Sequence, residues 1–139
     1  TDLASNLDLV PTILKACGIK PDERMSGIDL LNPKAVKKRK SIFLENFTHD
    51  MLDVDRPETA LRARSIVEQN WKLTRWTEPH VKLKSMVWQI GIPQEKVELF
   101  DLTKDPLEST NVSTLHPKKV EELTKQLNSW WNLQVVGKK

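Results

Sequence analysis

A single cysteine, Cys17, stands in this chain, so no internal disulfide can staple it and its stability has to come from a packed core. At an apolar position of a helical pattern, that cysteine reads as a small hydrophobe, and it leaves the redox compartment open. No stretch of about 18 apolar residues is present to span a bilayer, and no basic-then-apolar leader opens the sequence. The chain also lacks an initiator methionine and starts on a helix approach, which reads as an excised segment. Charge of one sign is not in excess, since 22 Lys+Arg against 19 Asp+Glu leave +3, too small a surplus to imply a polyanion partner. The positives cluster once, at Lys37, Lys38, Arg39 and Lys40, which reads as a solvated loop or helix end because no nucleic-acid reading element adjoins it. No nucleic acid or membrane partner is therefore expected. Repeats and low-complexity segments are absent.

What is present suits one folded body. A chain of 139 residues, 29% charged and 38% hydrophobic, is long enough to bury a core and too apolar to stay disordered. Leu7, Val10, Ile13, Leu14 and Cys17 fall on one stripe at helical spacing. Ser5 and Asp8, three residues apart, form a candidate capping pair. Placing the cap at Asp8 puts Pro11 in the first turn, where its missing N–H costs nothing. Gly18 is expected to close this helix in a left-handed conformation, and Pro21 to prevent its resumption. Residues 20–33 read as an ordered loop. Ser41 to Phe47, Leu61 to Gln69, Trp71 to Trp76 and Val97 to Leu102 read as strands, the middle two joined as a hairpin through Asn70. Residues 81–92 leave helix, strand and loop open. Pro117 then begins an amphipathic helix carrying Val120, Leu123, Leu127, Trp130 and Trp131. The expected fold is α+β: a small antiparallel sheet of about four strands with the C-terminal helix across one face, preceded by an N-terminal helix and loop.

Three segments carry a resemblance. The first is Ser5-Asn-Leu-Asp8-Leu-Val-Pro11-Thr12 through Gly18, followed by Gly27-Ile-Asp-Leu-Leu31. The second is Arg64-Ser-Ile-Val-Glu-Gln-Asn-Trp71-Lys72-Leu73. The third and strongest is Glu98-Leu-Phe-Asp-Leu102, Lys104-Asp105-Pro106, Glu108, Asn111 and the closing helix ending Trp130-Trp131. In this order they resemble the C-terminal part of the sulfatases, within the alkaline-phosphatase-like superfamily. The resemblance implies that residues 1–33 end the catalytic domain and residues 34–139 form the C-terminal subdomain. It also implies a parent that hydrolyses sulfate esters with a divalent metal, calcium, and a formylglycine, and that is secreted or periplasmic.

The family's formylglycine arises in a Cys/Ser-x-Pro/Ala-x-Arg motif, and Cys17-Gly18-Ile19-Lys20 does not match it. No segment matches the family's acidic metal pairs, and calcium requires several converging oxygens. Asp53 and Asp55 are therefore read as loop residues. No catalytic or metal-binding residue is assigned, and the chain alone is expected to be inactive, supplying scaffold and one wall of the substrate cleft. The substrate-binding candidates are His49 with Thr48 and Asp50, at the head of a long polar loop after a strand, and Trp76 with Trp88 as the tryptophans free to stack on a sugar. Trp71 and Trp130 are expected on core faces. Asp105 and Asn111 read as turn formers leading the last strand toward the helix. Asn46-Phe47-Thr48 and Asn111-Val112-Ser113 fit the glycosylation acceptor pattern, which is common by chance. The expected partners are the remainder of the catalytic domain and a sulfated small molecule or glycan. A homodimer through residues 3–20 is expected if the exposed helix lacks its natural cover. The alternatives are a phosphonate or phosphodiester hydrolase of the same superfamily, or a free-standing carbohydrate- or protein-binding module.

Overall fold

A computed structural model describes residues 2–47, 54–55, 60–77 and 96–131. Two compact units divide the chain, Thr1–Ile42 and Phe43–Lys139.

In the first unit a 3-10 turn, Asn6–Asp8, leads into α1, Leu9–Ala16, and α2 spans Pro33–Lys38. The Ser5 and Asp8 pair forms a reciprocal capping box around the 3-10 turn. Asp8 stands at the N-cap position of α1, as expected, but its backbone is already helical and its side chain makes no cap bond there. Its carboxylate has other partners, described below. Pro11 does fall in the first turn of α1, where no carbonyl awaits its missing N–H. Gly18, at φ +73°, ends the helix, with Gly18 N–H donating to the Lys15 carbonyl and Ile19 N–H to the Leu14 carbonyl, the paired bonds of a Schellman stop. The basic run divides by role, because Lys37 and Lys38 end α2 whereas Arg39 turns inward. α2 itself is capped by Asn32, whose side chain accepts from the Lys34 and Ala35 amides, with Pro33 in its first turn.

The second unit is built on an antiparallel sheet of order β1-β2-β3-β4. Its strands are β1, Ser41–Phe47, which begins just before the boundary; β2, Leu61–Glu68; β3, Trp71–Trp76; and β4, Val97–Asp101. α3, Pro117–Trp130, follows. The β2–β3 hairpin pairs Glu68 with Trp71, Ile66 with Leu73 and Arg64 with Arg75. That register places Ile66 and Leu73 on one face, and β4 adds Leu99 opposite Leu73. These three side chains and Leu123 and Leu127 of α3 form the fully buried core. Trp71 and Val120 pack against it. The helix joins the sheet because the 3.6-residue period of α3 meets the two-residue period of the strands on one apolar face.

Asn111 ties the chain to the sheet after β4. Its Oδ1 accepts from the Leu99 and Ser113 amides and its Nδ2 donates to the Val97 carbonyl, each at 3.0 Å. The expected turn former is thus a backbone surrogate along β4. Its amide is committed to three main-chain bonds, which closes the Asn111-Val112-Ser113 acceptor pattern in the folded chain.

Candidate functional site

Thr48, His49, Asp50 and Trp88 lie outside the described residues, as does the segment 81–92. Trp76, the remaining sequence candidate, is half-buried on the sheet face opposite α3. Its indole N–H donates to Glu98 Oε2 at 2.6 Å, and the cross-strand Ser65 and Thr74 hydroxyls pair at 2.9 Å on that face.

Two arrangements concentrate polar chemistry, one in each unit. In the first unit Asp8 is fully buried, at 0% exposure. Its Oδ2 accepts from Ser5 N–H at 2.7 Å and its Oδ1 from Ile28 N–H at 2.8 Å. Both oxygens also accept from the Arg39 guanidinium, Nη2 lying 2.7 Å from Oδ1 and Nη1 closing the second bond to Oδ2. Arg39 holds the carboxyl down to about 2 from its ordinary 3.8, and the Ile28 and Ser5 amides add to the effect against the opposing cost of burial. Thr12 continues the seam, since its hydroxyl donates to the Asp8 carbonyl at 2.7 Å and accepts from Leu30 N–H at 2.9 Å. The loop lies close enough that a Cβ at Gly27 would stand 2.0 Å from the Leu7 carbonyl oxygen, so only glycine fits there. These bonds knit residues 27–30 to α1. Sequence reasoning missed the Asp8–Arg39 pair because 31 residues separate the partners and the arginine is disguised among lysines.

In the second unit an open cleft of about 500 Å³ is lined by Phe43 of β1 and Lys125, Gln126, Ser129 and Trp130 of α3. Phe43 and Trp130 stack with ring centroids 4.7 Å apart and planes 9° from parallel. Trp130 was expected on a core face, and that is corrected: it is 42% exposed. The core places on the stripe are taken by Leu123 and Leu127, and Trp130 lies at the very end of the helix. Trp71 does pack on the core, with His116 edge-on to its ring at 5.0 Å. Beneath the helix end, buried Arg64 donates to the Trp131 carbonyl and to Asn128 Oδ1. It thereby satisfies a carbonyl that the helix leaves open.

Neither arrangement resembles a hydrolytic centre. Among the described residues no three His, Cys, Asp or Glu side chains gather as a metal site. Cys17 is an exposed helix C-cap followed by Gly18. The residues described here therefore do not fit a divalent metal or a formylglycine.

Fold and sequence together place the chain among the C-terminal domains of sulfatases. It belongs to the family described as N-sulphoglucosamine sulphohydrolase, C-terminal, which it matches over residues 1–135. It is 26% identical over 130 residues to Arylsulfatase K of Xenopus laevis, a match that covers 91% of this chain and 22% of that protein. A solved structure concerned with the metabolism of multiple glycosaminoglycans by Bacteroides thetaiotaomicron superposes with a TM-score of 0.63 at 20% identity, covering 91% of this chain and 26% of the other. Another, a complex with its substrate D-glucosamine-2-N,6-O-disulfate, gives a TM-score of 0.57 at 18% identity over 92% of this chain and 24% of the other. The chain thus spans about a quarter of the length of these relatives.

Proposed function

We propose that this chain is the C-terminal portion of an enzyme that hydrolyses sulfate esters, contributing scaffold and one wall of the substrate cleft, with nucleophile and metal ligands supplied by the rest of the parent. The observation that carries this reading is the family match over residues 1–135, in a region that amounts to 22% of Arylsulfatase K. The mismatch of Cys17-Gly18-Ile19-Lys20 with the family's formylglycine motif supports it. A sulfated sugar is the favoured substrate class, because one structural relative holds D-glucosamine-2-N,6-O-disulfate as its substrate. In the parent, residues 1–33 close the catalytic domain and the apolar side of α1 packs on it. His49, Thr48, Asp50, Trp76 and Trp88 remain the residues proposed to face the substrate.

The test is a pair of assays on a chromogenic aryl sulfate. The purified 139-residue chain is expected to show no turnover above a buffer blank. A parent that includes the preceding coding sequence is expected to hydrolyse the ester and to lose activity to a chelator. Chelator-sensitive turnover by the short chain contradicts the proposal, and a parent active only on phosphonates or phosphodiesters favours that branch of the superfamily. A reading frame that begins near Thr1 favours the free-standing module.

A further inference from the structure

The side of the sheet that faces α3 carries three arginines near one end. Arg62 and Arg64 stand two residues apart on β2, and the strand register sets Arg75 of β3 directly across from Arg64. Alternate residues of a strand share a face, roughly 7 Å apart, so the three lie on one side. Their bonds to α3 are to neutral groups: Arg75 Nη1 donates to Thr124 Oγ1 at 3.2 Å, Arg64 Nη2 to Asn128 Oδ1 at 3.1 Å, and Arg64 Nη1 to the Trp131 carbonyl. Among the described residues none of the three arginines enters an ion pair. Glu45 of β1 acts on Arg64 without pairing with it, from an exposed position. Two donors are also left over. Arg62 Nε and Arg64 Nε are shut off from solvent and have no hydrogen-bond partner among the described residues, and Arg64 as a whole is 7% exposed. Buried donors without partners are rare, because each forfeits its bond to water and gains none in return. Burial first and Arg75 second push the Arg64 guanidinium below its ordinary range, with Glu45 opposing them.

We propose that this arginine cluster holds one chloride ion, which accepts from the Arg62 and Arg64 Nε–H groups beneath the end of α3. One ion answers both observations, since it accepts N–H bonds and carries the charge that the cluster lacks. A buried water could meet the two donors, but it would leave three neighbouring guanidiniums without a counter-charge. The closure of both Nε atoms to solvent selects a small occupant. A single atom can enter during a local opening of the helix end, whereas a phosphate or carboxylate attached to a larger molecule could not follow it into the closed site. The ion is structural, joining β2 to the end of α3, and its assignment rests on no reading of the parent's chemistry.

The test is urea unfolding of the 139-residue chain at one protein concentration, with sodium chloride exchanged for sodium gluconate at constant ionic strength. An ion bound only by the folded chain raises the folding constant about tenfold for each tenfold rise in chloride above its dissociation constant. Arg62→Gln removes one Nε–H and one charge at a half-buried position and is expected to abolish that slope. The variant should be at least as stable as the parent sequence in gluconate, where it relieves an uncompensated charge, and less stable in chloride. A loss of stability that is equal in both salts would mark Arg62 as packing only and overturn the proposal. So would a folding constant that does not change with chloride, the result expected of a buried water, or a slope that persists in Arg62→Gln. A crystal soaked in sodium bromide gives an independent reading: an anomalous peak within hydrogen-bond reach of the Arg62 and Arg64 Nε atoms is expected, and its absence there overturns the assignment.

Discussion

Asp8 shows how much one side chain can organise. A carboxylate without exposure would be costly alone, yet here its two oxygens are shared by two backbone amides and a guanidinium. Replacing it by Asn removes the charge and leaves Arg39, whose side chain is only 13% exposed, facing an amide. Breaking a buried pair from one side costs about 3 to 5 kcal/mol. In Asp8→Asn the Ile28 and Leu30 amides are therefore expected to lose most of their protection from hydrogen exchange. Acid should act similarly. The folded pKa of about 2 lies below the ordinary 3.8, so the unfolded chain takes up its proton first. The stabilisation, about 2 kcal/mol, is complete above the unfolded value and lost as pH falls toward the folded one. Ile28 protection, corrected for intrinsic exchange, should drop across that window and stay flat in Asp8→Asn. Gln69 offers the opposite sign. It sits in the β2–β3 turn at φ +53°, where a side chain is strained and glycine is not. Relief of left-handed strain, roughly 1 to 2 kcal/mol, outweighs the extra chain entropy of glycine, about 0.5 to 1 kcal/mol, so Gln69→Gly is expected to raise stability, read as a higher urea midpoint with an unchanged slope.

At the scale of the element, α3 is held by its middle. Leu123 and Leu127 are fully buried among Ile66, Leu73 and Leu99, while Lys119 and Gln126 tie the same face to Glu68 at 2.9 and 2.8 Å. Leu127→Ala should cost about 2 to 5 kcal/mol. Trp130→Ala removes a part-exposed ring and one aromatic stack, worth about 0.5 to 1.5 kcal/mol beyond area, and should cost less. Chemical denaturation of the two variants checks the order, and a greater loss at Trp130 would mean that the helix end anchors it. The amphipathic pattern of α3 was legible because it is periodic over fourteen residues. Which tryptophan it buries was not, because the core places are filled by Leu123 and Leu127 while Trp130 meets Phe43 of a strand distant in sequence.

Across the molecule, the first unit leaves an apolar side open. Leu9, Val10 and Ile13 of α1 are 55%, 52% and 60% exposed. Each such side chain forgoes roughly 1.5 to 3 kcal/mol of burial, a large share of the about 5 to 15 kcal/mol that stabilises a domain. In isolation the chain is expected to associate through residues 3–20, one patch serving both partners across a two-fold. Sedimentation at micromolar concentration checks this, and Ile13→Glu should restore a monomer. A parent monomer with strongly protected α1 amides would instead place this side against the preceding domain.

The sequence by itself determined the elements whose causes are local. The Schellman stop at Gly18, the proline in the first turn of α1, all four strands to within a residue, and the start of α3 at Pro117 follow from periodicity and from residues that restrict φ or lack an N–H. Tertiary structure alone decided the rest. Arg39 could be singled out from its lysine neighbours only once the fold brought it to Asp8, and Asn111 from the other turn residues only once β4 lay beside it. Trp130 meets Phe43 across 87 positions of sequence. Such partners are chosen by where packed surfaces end in space, and no local period encodes that.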